Sequence, residues 1–287
     1  MRIPSNKVCD IERFAYSELA ELYSRSEIRN LLQILFEHFL GWSVAHLLVC
    51  KNKTINQSDL LKFNFAIKDL RNGKPIQYIV GKVDFCDVSI SVSKDTLIPR
   101  PETAELVYLI SGNENPGTIL DICTGSGCIA VALAKRLAPA KVFATDISVE
   151  ALKIAEQNSK ANSVEVCFAY ADILQGDNPF EQKEFDVIVS NPPYVREMEK
   201  QQMHKNVLDY EPHLALFVSD SDPLIFYRHI ALFANKYLKQ GGKLYLEINE
   251  AFGNDTATLL QEQGYRTTVH KDLFGKERII EAQKAII

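Results

Sequence analysis

The sequence lacks the features of membrane, metal-binding and disulfide-rich proteins. No stretch of its 287 residues approaches the roughly 18 consecutive apolar residues that a membrane helix needs. The N-terminus lacks the basic and then apolar segments of a signal peptide. The six cysteines form no Cys-x-x-Cys pair, and none of the six histidines lies at metal-ligand spacing from another histidine or a cysteine. We therefore expect a cytoplasmic protein with reduced thiols, no membrane contact and no metal.

Positive charge is also scarce. The chain has 32 lysines and arginines against 37 aspartates and glutamates, a formal net charge of −5, and a pI near 5.8. A protein that grips a long nucleic acid usually carries a basic face, which displaces counterions from the phosphates. We therefore expect no direct binding of nucleic acid. The rest of the composition, 46% hydrophobic and 24% charged, is that of an ordinary globular protein with one large domain or two smaller ones.

The apolar pattern divides the chain into three parts. In residues 1–74 leucine, isoleucine and phenylalanine recur at helical spacing, which predicts a small helical bundle. We expect Gly41 to end one helix there, and Ser43 and Ser58 to cap the next two. In residues 75–96 the spacing of apolar residues is no longer helical, and the alternation of apolar and polar residues over 83–92 predicts a β-ribbon linker. Residues 97–287 form the third part, in which strands and helices alternate from residue 118 onward.

The alternation in this third part predicts an α/β domain with a mostly parallel sheet, finished by a hairpin-like pair of strands. Gly241-Gly242 is expected to close the helix Pro223–Lys239 and turn the chain into the strand Lys243–Asn249. The predicted strands are Thr118–Cys123, Lys141–Ile147, Val164–Tyr170, Asp186–Ser190, Lys243–Asn249, Tyr265–Lys271 and Arg278–Ala282. The predicted helices are Cys128–Leu137, Val149–Ala161, Pro223–Lys239 and Thr256–Gln263.

A glycine turn after the first of these strands is typical of a nucleoside-binding site. Gly125 and Gly127 let the backbone approach a ligand closely, and Asp146 at the end of the next strand could accept both hydroxyls of a ribose. A tight turn with a capping aspartate is the plainer interpretation. The glycine spacing also fits a dinucleotide, but Asp121 would repel a pyrophosphate and could bind the amino acid part of S-adenosylmethionine. Asp172, after the third strand, could accept from the adenine amino group.

A second motif, Asn-Pro-Pro-Tyr at 191–194, ends the apolar strand that begins near residue 186. The two prolines cannot continue a sheet, so they form a stiff loop at the carboxyl end of a strand. The carbonyls of Asn191 and Pro192 could accept the two N–H bonds of a planar NH2 group, while Tyr194 packs on its face. This arrangement would aim a weakly nucleophilic nitrogen at an electrophilic methyl group. A purely structural turn is the alternative.

With these motifs the chain resembles the HemK/PrmC protein-(glutamine-N5) methyltransferases over nearly its whole length. The resemblance rests on Pro-Ile-Gln-Tyr-Ile at 75–79, Leu-Ile-Pro-Arg-Pro-Glu-Thr at 97–103, the turn at 120–127, Ala-Thr-Asp-Ile-Ser at 144–148, the loop at 190–194, Tyr-Glu-Pro at 210–212 and the segment 272–278. It implies a class I S-adenosylmethionine-dependent methyltransferase, Rossmann-like, with a seven-stranded mostly parallel sheet and a small N-terminal helical domain. The implied substrate is the Gly-Gly-Gln glutamine of class-I peptide chain release factors.

The resemblance and the motifs together give the candidate site residues. The candidate cofactor contacts are Asp121, Cys123, Thr124, Gly125, Ser126, Gly127, Asp146, Ile147, Asp172, Ile173 and Asn191. The candidate substrate contacts are Asn191, Pro192, Pro193, Tyr194 and Arg100, of which Asn191, Pro192 and Tyr194 are the candidate catalytic residues. The cofactor would be S-adenosyl-L-methionine, with S-adenosyl-L-homocysteine as product and no metal. No role is assigned to Glu102, Glu211 or Glu247.

The chain departs from the family pattern at a few positions, and three other functions are considered. Cys123 and Asn249 stand where the family usually has glycine, Ala104 stands where it usually has glutamate, and Ser221-Asp222-Pro223 replaces a usual Asp-Gly pair. One alternative is a nucleic-acid amino methyltransferase acting on adenine N6 or guanine N2. The others are a binding-only module and an NAD-dependent dehydrogenase. The acidic charge balance, the small helical N-terminal domain and the Ile-Pro-Arg-Pro loop disfavour the nucleic-acid methyltransferase, which would use the same 191–194 loop. The intact 191–194 loop disfavours a binding-only module, and Asp121 together with this loop disfavours the dehydrogenase.

Overall fold

The computed structural model describes residues 3–182 and 184–284 and divides them into two units. One unit holds the residues up to Gly81 together with Lys205–Tyr210. The other holds Lys82–His204 and the chain from Glu211 onward. In the described part of the chain, no helix is long and apolar enough to cross a membrane.

The helices are given first in chain order, and the strands follow. The helices are α1 (Val8–Leu19), α2 (Arg25–Leu40), α3 (Val44–Val49), α4 (Gln57–Arg71), α5 (Ile76–Val80), α6 (Pro101–Asn113), α7 (Cys128–Arg136), α8 (Val149–Ala161), α9 (Lys205–Tyr210), α10 (Ile225–Tyr237) and α11 (Gly253–Glu262). The strands are β1 (Lys82–Phe85), β2 (Val88–Ser91), β3 (Thr118–Ile122), β4 (Lys141–Asp146), β5 (Val166–Tyr170), β6 (Phe185–Ser190), β7 (Val195–Arg196), β8 (Phe217–Val218), β9 (Leu238–Glu247), β10 (Tyr265–Lys271) and β11 (Glu277–Lys284).

The first unit is the helical bundle that the apolar spacing predicts. Its core is built from side chains of α1, α2 and α4, such as Leu19, Phe36 and Phe63, which are fully buried. Gly41 ends α2 and Ser43 caps α3, as predicted. The prediction for Ser58 is wrong, because α4 begins at Gln57, two residues before the start that a cap at Ser58 would give it. There Asn56 is the cap, and its side-chain oxygen accepts the Asp59 N–H at 2.8 Å.

The segment after Pro75 is helical, so the predicted ribbon is wrong over residues 76–80. Pro75 presets the backbone before α5, and Ile76, Ile79 and Val80 pack on the core of the bundle at helical spacing. The ribbon itself exists: β1 and β2 pair antiparallel, with Lys82 opposite Ser91. It begins in the second unit, at Lys82.

The second unit is built on a seven-stranded sheet of order β10-β11-β9-β6-β3-β4-β5. β9, β6, β3, β4 and β5 are parallel, and β11 and β10 continue the sheet antiparallel, which confirms the predicted topology. The order reverses at β3, where open α/β sheets bind ligands beyond the carboxyl ends of their strands. Val187, Ile188 and Val189 of β6 are at most 1% exposed, as a central strand requires.

The glycine pair Gly241-Gly242 does not end a helix, which corrects the prediction. α10 ends at Tyr237, and β9 starts at Leu238 and runs through both glycines. The pairing of β9 with β6 is shifted between Phe185 and Val187, opposite this stretch. A Cβ on Gly242 would lie 2.9 Å from the carbonyl oxygens of Asp186 and Lys239, so the irregular strand needs a residue without a side chain there.

Candidate active site

A cavity of about 210 Å³ lies at the carboxyl ends of β3, β4, β5 and β6. The predicted site residues that line it are Arg100, Cys123, Thr124, Gly125, Ser126, Asp146, Ile147, Asp172, Ile173, Asn191 and Pro193. The other four, Asp121, Gly127, Pro192 and Tyr194, do not line it. The topology therefore brings most of the sequence-predicted site residues together around one cavity, although they come from five separate segments of the chain.

Asp121 lies beneath the turn that follows β3. Its carboxylate is fully buried, accepts the Thr124 hydroxyl at 2.6 Å, and accepts the Ala130 N–H of α7 at 3.2 Å. Burial raises the pKa of Asp121 to about 7, and these two hydrogen bonds oppose the rise. The sequence suggested that Asp121 contacts a ligand directly. The structure shows that it holds the turn, and a direct contact with the ligand stays a prediction.

Cys123 opens this turn in a left-handed backbone conformation, with φ of +60°. Residues with a side chain rarely adopt this conformation, because Cβ crowds the backbone. This explains in physical terms why a glycine is usual at this position in the family that the chain resembles. Burial, followed by the charges of Asp146 and Asp121, raises the pKa of the Cys123 thiol well above its usual value, so the thiol is neutral.

Two carboxylates stand at the ends of neighbouring strands. Asp146 accepts the N–H groups of Gly125 and Ser148, each at 2.8 Å, and so ties the end of β4 to the turn after β3. Burial raises the pKa of Asp146, and the backbone N–H groups oppose this. Asp172, after β5, accepts the Leu174 N–H at 2.9 Å. Each carboxylate oxygen has two lone pairs, so both side chains can accept further hydrogen bonds from a ligand.

Arg100 is held by a buried carboxylate. Its Nη2 lies 2.6 Å from Oε1 of Glu211, whose Oε2 accepts the Ile98 N–H at 3.1 Å. Glu211 is 4% exposed. The Tyr-Glu-Pro motif therefore fixes the Ile-Pro-Arg-Pro loop beside the cavity. The described lining residues carry the carboxylates of Asp95, Asp146 and Asp172, but Arg100 is their only basic group and is already paired.

The loop after β6 is tied to two residues that the sequence did not assign to the site. Nδ2 of Asn191 donates to Oγ1 of Thr103 at 3.1 Å. The Thr103 hydroxyl donates to Oε2 of Glu247 at 2.7 Å, and the Tyr194 hydroxyl donates to Oε1 of the same carboxylate at 3.0 Å. Burial raises the pKa of Glu247, and the two hydroxyl donors and the charge of Arg278 oppose the rise.

A signal for Glu247 was present in the sequence. It is an acidic residue at the end of the apolar stretch 244–248, and such a residue is unusual in a buried strand unless it has partners. Thr103 belongs to the Pro-Glu-Thr motif but looks like an ordinary helix-start residue. No group of three or more histidine, cysteine, aspartate or glutamate side chains within residues 3–182 and 184–284 has the arrangement of a metal site.

Comparison with known proteins gives matches over both units. A family model described as Methyltransferase small domain matches residues 103–212, and one described as PrmC N-terminal domain matches residues 10–81. The release factor glutamine methyltransferase of Flavobacterium psychrophilum is 44% identical, covering 91% of this chain and 94% of its own. The protein of the same name in Bacteroides thetaiotaomicron is 44% identical, covering 96% and 99%. A methyltransferase structure from Pyrococcus furiosus, 21% identical with a TM-score of 0.51, covers 69% of this chain and 90% of that one, and supports the fold.

Proposed function

This chain belongs to the release factor glutamine methyltransferases, and we propose that it methylates the side-chain amide nitrogen (N5) of the Gly-Gly-Gln glutamine in class-I peptide chain release factors. As a member of this family it is an S-adenosylmethionine-dependent methyltransferase. The observation that carries the proposal is the Asn191–Tyr194 loop. It lies at the carboxyl end of β6, and Asn191 lines the cavity there.

The cavity suits S-adenosylmethionine better than a dinucleotide. Asp146, at the end of β4, would accept the ribose hydroxyls, and Asp172, after β5, would accept from the adenine amino group. The acidic lining favours a cation such as a sulfonium. A pyrophosphate would meet carboxylates and an arginine already paired with Glu211. The residues present therefore fit this cofactor.

The protein's part in the reaction is to position and polarise the glutamine amide. The cofactor supplies an activated methyl group on its sulfonium. The side-chain carbonyl of Asn191 and the backbone carbonyl of Pro192 accept the two N–H bonds of the substrate amide. These hydrogen bonds free part of the nitrogen lone pair and aim it at the methyl group. Tyr194 packs on the flat amide. The methylated nitrogen is strongly acidic, so its proton leaves through these carbonyl contacts to water and no strong base is required.

The proposal is tested by offering several substrates to one enzyme. The purified chain is incubated with S-adenosylmethionine labelled on the methyl group, and release factor, tRNA, rRNA and DNA are supplied separately. We expect label in the release factor, located by mass spectrometry on the glutamine of Gly-Gly-Gln. Asn191→Ala is expected to lose most of this transfer while it still binds the cofactor. Label in nucleic acid alone would overturn the proposal in favour of an amino methyltransferase acting on bases.

A further inference from the structure

Glu247 is the acceptor in both hydrogen bonds that its side chain forms with hydroxyl groups. Glu247 is the last residue of β9 and is 1% exposed. Its two oxygens accept from two hydroxyls, those of Thr103 and Tyr194. In both hydrogen bonds the hydroxyl donates and a carboxyl oxygen of Glu247 accepts, so both hydroxyl protons point toward Glu247.

The direction of these hydrogen bonds also fixes the orientation of the Asn191 side-chain amide. A hydroxyl has one proton, and Thr103 gives it to Glu247 at 2.7 Å. Its oxygen can then only accept, so the Asn191 group that meets it at 3.1 Å must be the NH2 end of the amide. Because the two ends of an amide lie on opposite sides of its carbon, the Asn191 carbonyl oxygen is turned away from Thr103.

We infer that Thr103 and Glu247 are positioning residues that keep the Asn191 carbonyl directed toward the substrate nitrogen. The inference rests on the proposed function, in which that carbonyl accepts from the glutamine NH2. An asparagine amide has nearly the same shape after a half-turn, and its terminal torsion is broad and roughly two-fold, so packing alone selects an orientation poorly. The flipped amide would present its own NH2 to the NH2 of the substrate, and two donors cannot form a hydrogen bond.

The same carboxylate also fixes Tyr194. Its other oxygen accepts the Tyr194 hydroxyl at 3.0 Å, so the ring that packs on the substrate amide and the asparagine that polarises it share one anchor. The Tyr194 hydroxyl is a firm donor, because burial and then the charge of Glu247 raise its pKa well above the usual value. One side chain of β9 thereby orders both reactive side chains of the loop after β6.

The test compares two substitutions of Thr103 in the full-length protein. Thr103→Val keeps the shape of the side chain but removes the hydroxyl, whereas Thr103→Ser keeps the hydroxyl. We expect the kcat of Thr103→Val for release-factor methylation to fall roughly 10- to 100-fold, with the KM for the release factor and the affinity for S-adenosylmethionine within about twofold of wild type. Thr103→Ser should restore most of the lost kcat, and a role limited to packing would not separate the two variants.

Glu247→Gln provides an independent variant. A glutamine amide has one oxygen and one NH2 group, so it can accept from only one of the two hydroxyls. Where its NH2 group faces Thr103, that hydroxyl donates to Asn191 instead, and the asparagine amide turns over. We expect a loss of kcat at least as large as for Thr103→Val. The double variant with Thr103→Val should lose less than the sum of the two effects, because both break one network.

The outcomes separate this inference from the proposed function. If wild type methylates the release-factor glutamine but folded Thr103→Val keeps a kcat within twofold of it, the inference alone is overturned. Equal losses in Thr103→Ser and Thr103→Val would overturn it as well. If wild type places no methyl group on the glutamine, the proposed function fails, and the inference fails with it.

Discussion

Cys123 combines a left-handed backbone with a half-buried side chain, and this makes its position sensitive to branching at Cβ. We expect Cys123→Val to be less stable than Cys123→Gly by at least about 1 kcal/mol, because a β-branched residue is strained at positive φ and glycine is not. Urea denaturation of the two variants measures the difference. Equal stability, or a more stable valine variant, would show that residue 123 does not have this conformation in solution.

The role proposed for Asp146 predicts a loss of cofactor affinity. Asp146→Ala should weaken binding of S-adenosylmethionine by roughly 1–3 kcal/mol, because it removes charged acceptors for the ribose and releases the N–H of Gly125. Isothermal calorimetry measures the change. Glu150→Ala removes the same charge four residues away, at an exposed site outside the cavity lining, and should bind as wild type does. Unchanged affinity in Asp146→Ala would remove this residue from the cofactor site.

Buried Asp121 predicts a dependence of stability on pH. Its pKa of about 7 in the folded protein lies above the ordinary value of 3.8, so the folded chain binds the proton more tightly than the unfolded chain does. The contribution of Asp121 to the free energy of unfolding should therefore fall as pH rises from about 4 to 7, and it should level off above that. Asp121→Asn should flatten the fall in a series of denaturation curves. An unaltered slope in that variant would mean that Asp121 is ionised throughout the range.

Candidate site residues at the ends of strands are easier to identify from the sequence than the residues that hydrogen-bond to them. Asp146 and Asn191 were found because each follows an apolar strand at the edge where parallel strands converge. Thr103 and Glu247 were not, because the two residues that meet at 2.7 Å are separated by 144 positions in the chain. No local pattern reports such a contact. Only the folded sheet brings α6 and the end of β9 to the same loop.

At the scale of elements, the irregular strand β9 leads us to expect that alanine substitutions of two glycines have opposite effects on stability. Gly242→Ala should destabilise the protein by roughly 1–3 kcal/mol, because the new Cβ would be 2.9 Å from two carbonyl oxygens that belong to packed strands. Gly112 lies within α6 with open space around its Cβ position, so Gly112→Ala should raise stability by about 0.5–1 kcal/mol. Thermal unfolding of the two variants measures both changes in stability. A harmless Gly242→Ala would contradict the described packing of β9 on β6.

Element types were predicted more reliably than element ends. Apolar periodicity correctly predicted the strands of the sheet and the helices between them. The boundary between α10 and β9 was misplaced, because Gly241-Gly242 is locally a strong turn signal and only the pairing with β6 turns it into strand. Ile76–Val80 was misassigned for a related reason. Its helix is stabilised by apolar contacts with the helical bundle, and these contacts cannot be read from the residues of the segment itself.

For the whole molecule, we propose that the helical unit is the recognition surface for the release factor. A lone glutamine side chain offers little binding energy, so selecting one glutamine in one protein requires remote contacts. Leu48 and Val49 of α3 are 58% and 86% exposed, as apolar docking residues would be. We expect Leu48→Glu and Val49→Glu to reduce methylation of intact release factor roughly tenfold, without changing the affinity for S-adenosylmethionine.

Two controls make this prediction specific. Methylation of a short Gly-Gly-Gln peptide, which lacks the rest of the release factor, should change little in either variant. Leu232→Glu introduces the same charge at a leucine of α10 that is exposed to a similar degree, 55%, in the other unit, and should behave as wild type. Equal losses on protein and peptide would indicate that α3 serves stability and is not a recognition surface.

The helical unit is discontinuous in sequence, and this limits how it can be recombined with relatives. Six of its residues, Lys205–Tyr210, come from the middle of the other unit, and the Tyr210 hydroxyl donates to the Asn72 carbonyl at 3.0 Å. A chimaera joined once near residue 81 would therefore pair one parent's bundle with the other parent's α9. Given the recognition role proposed for the helical unit, an exchange of substrate preference between family members would require the transfer of two segments together, the residues up to Gly81 and Lys205–Tyr210.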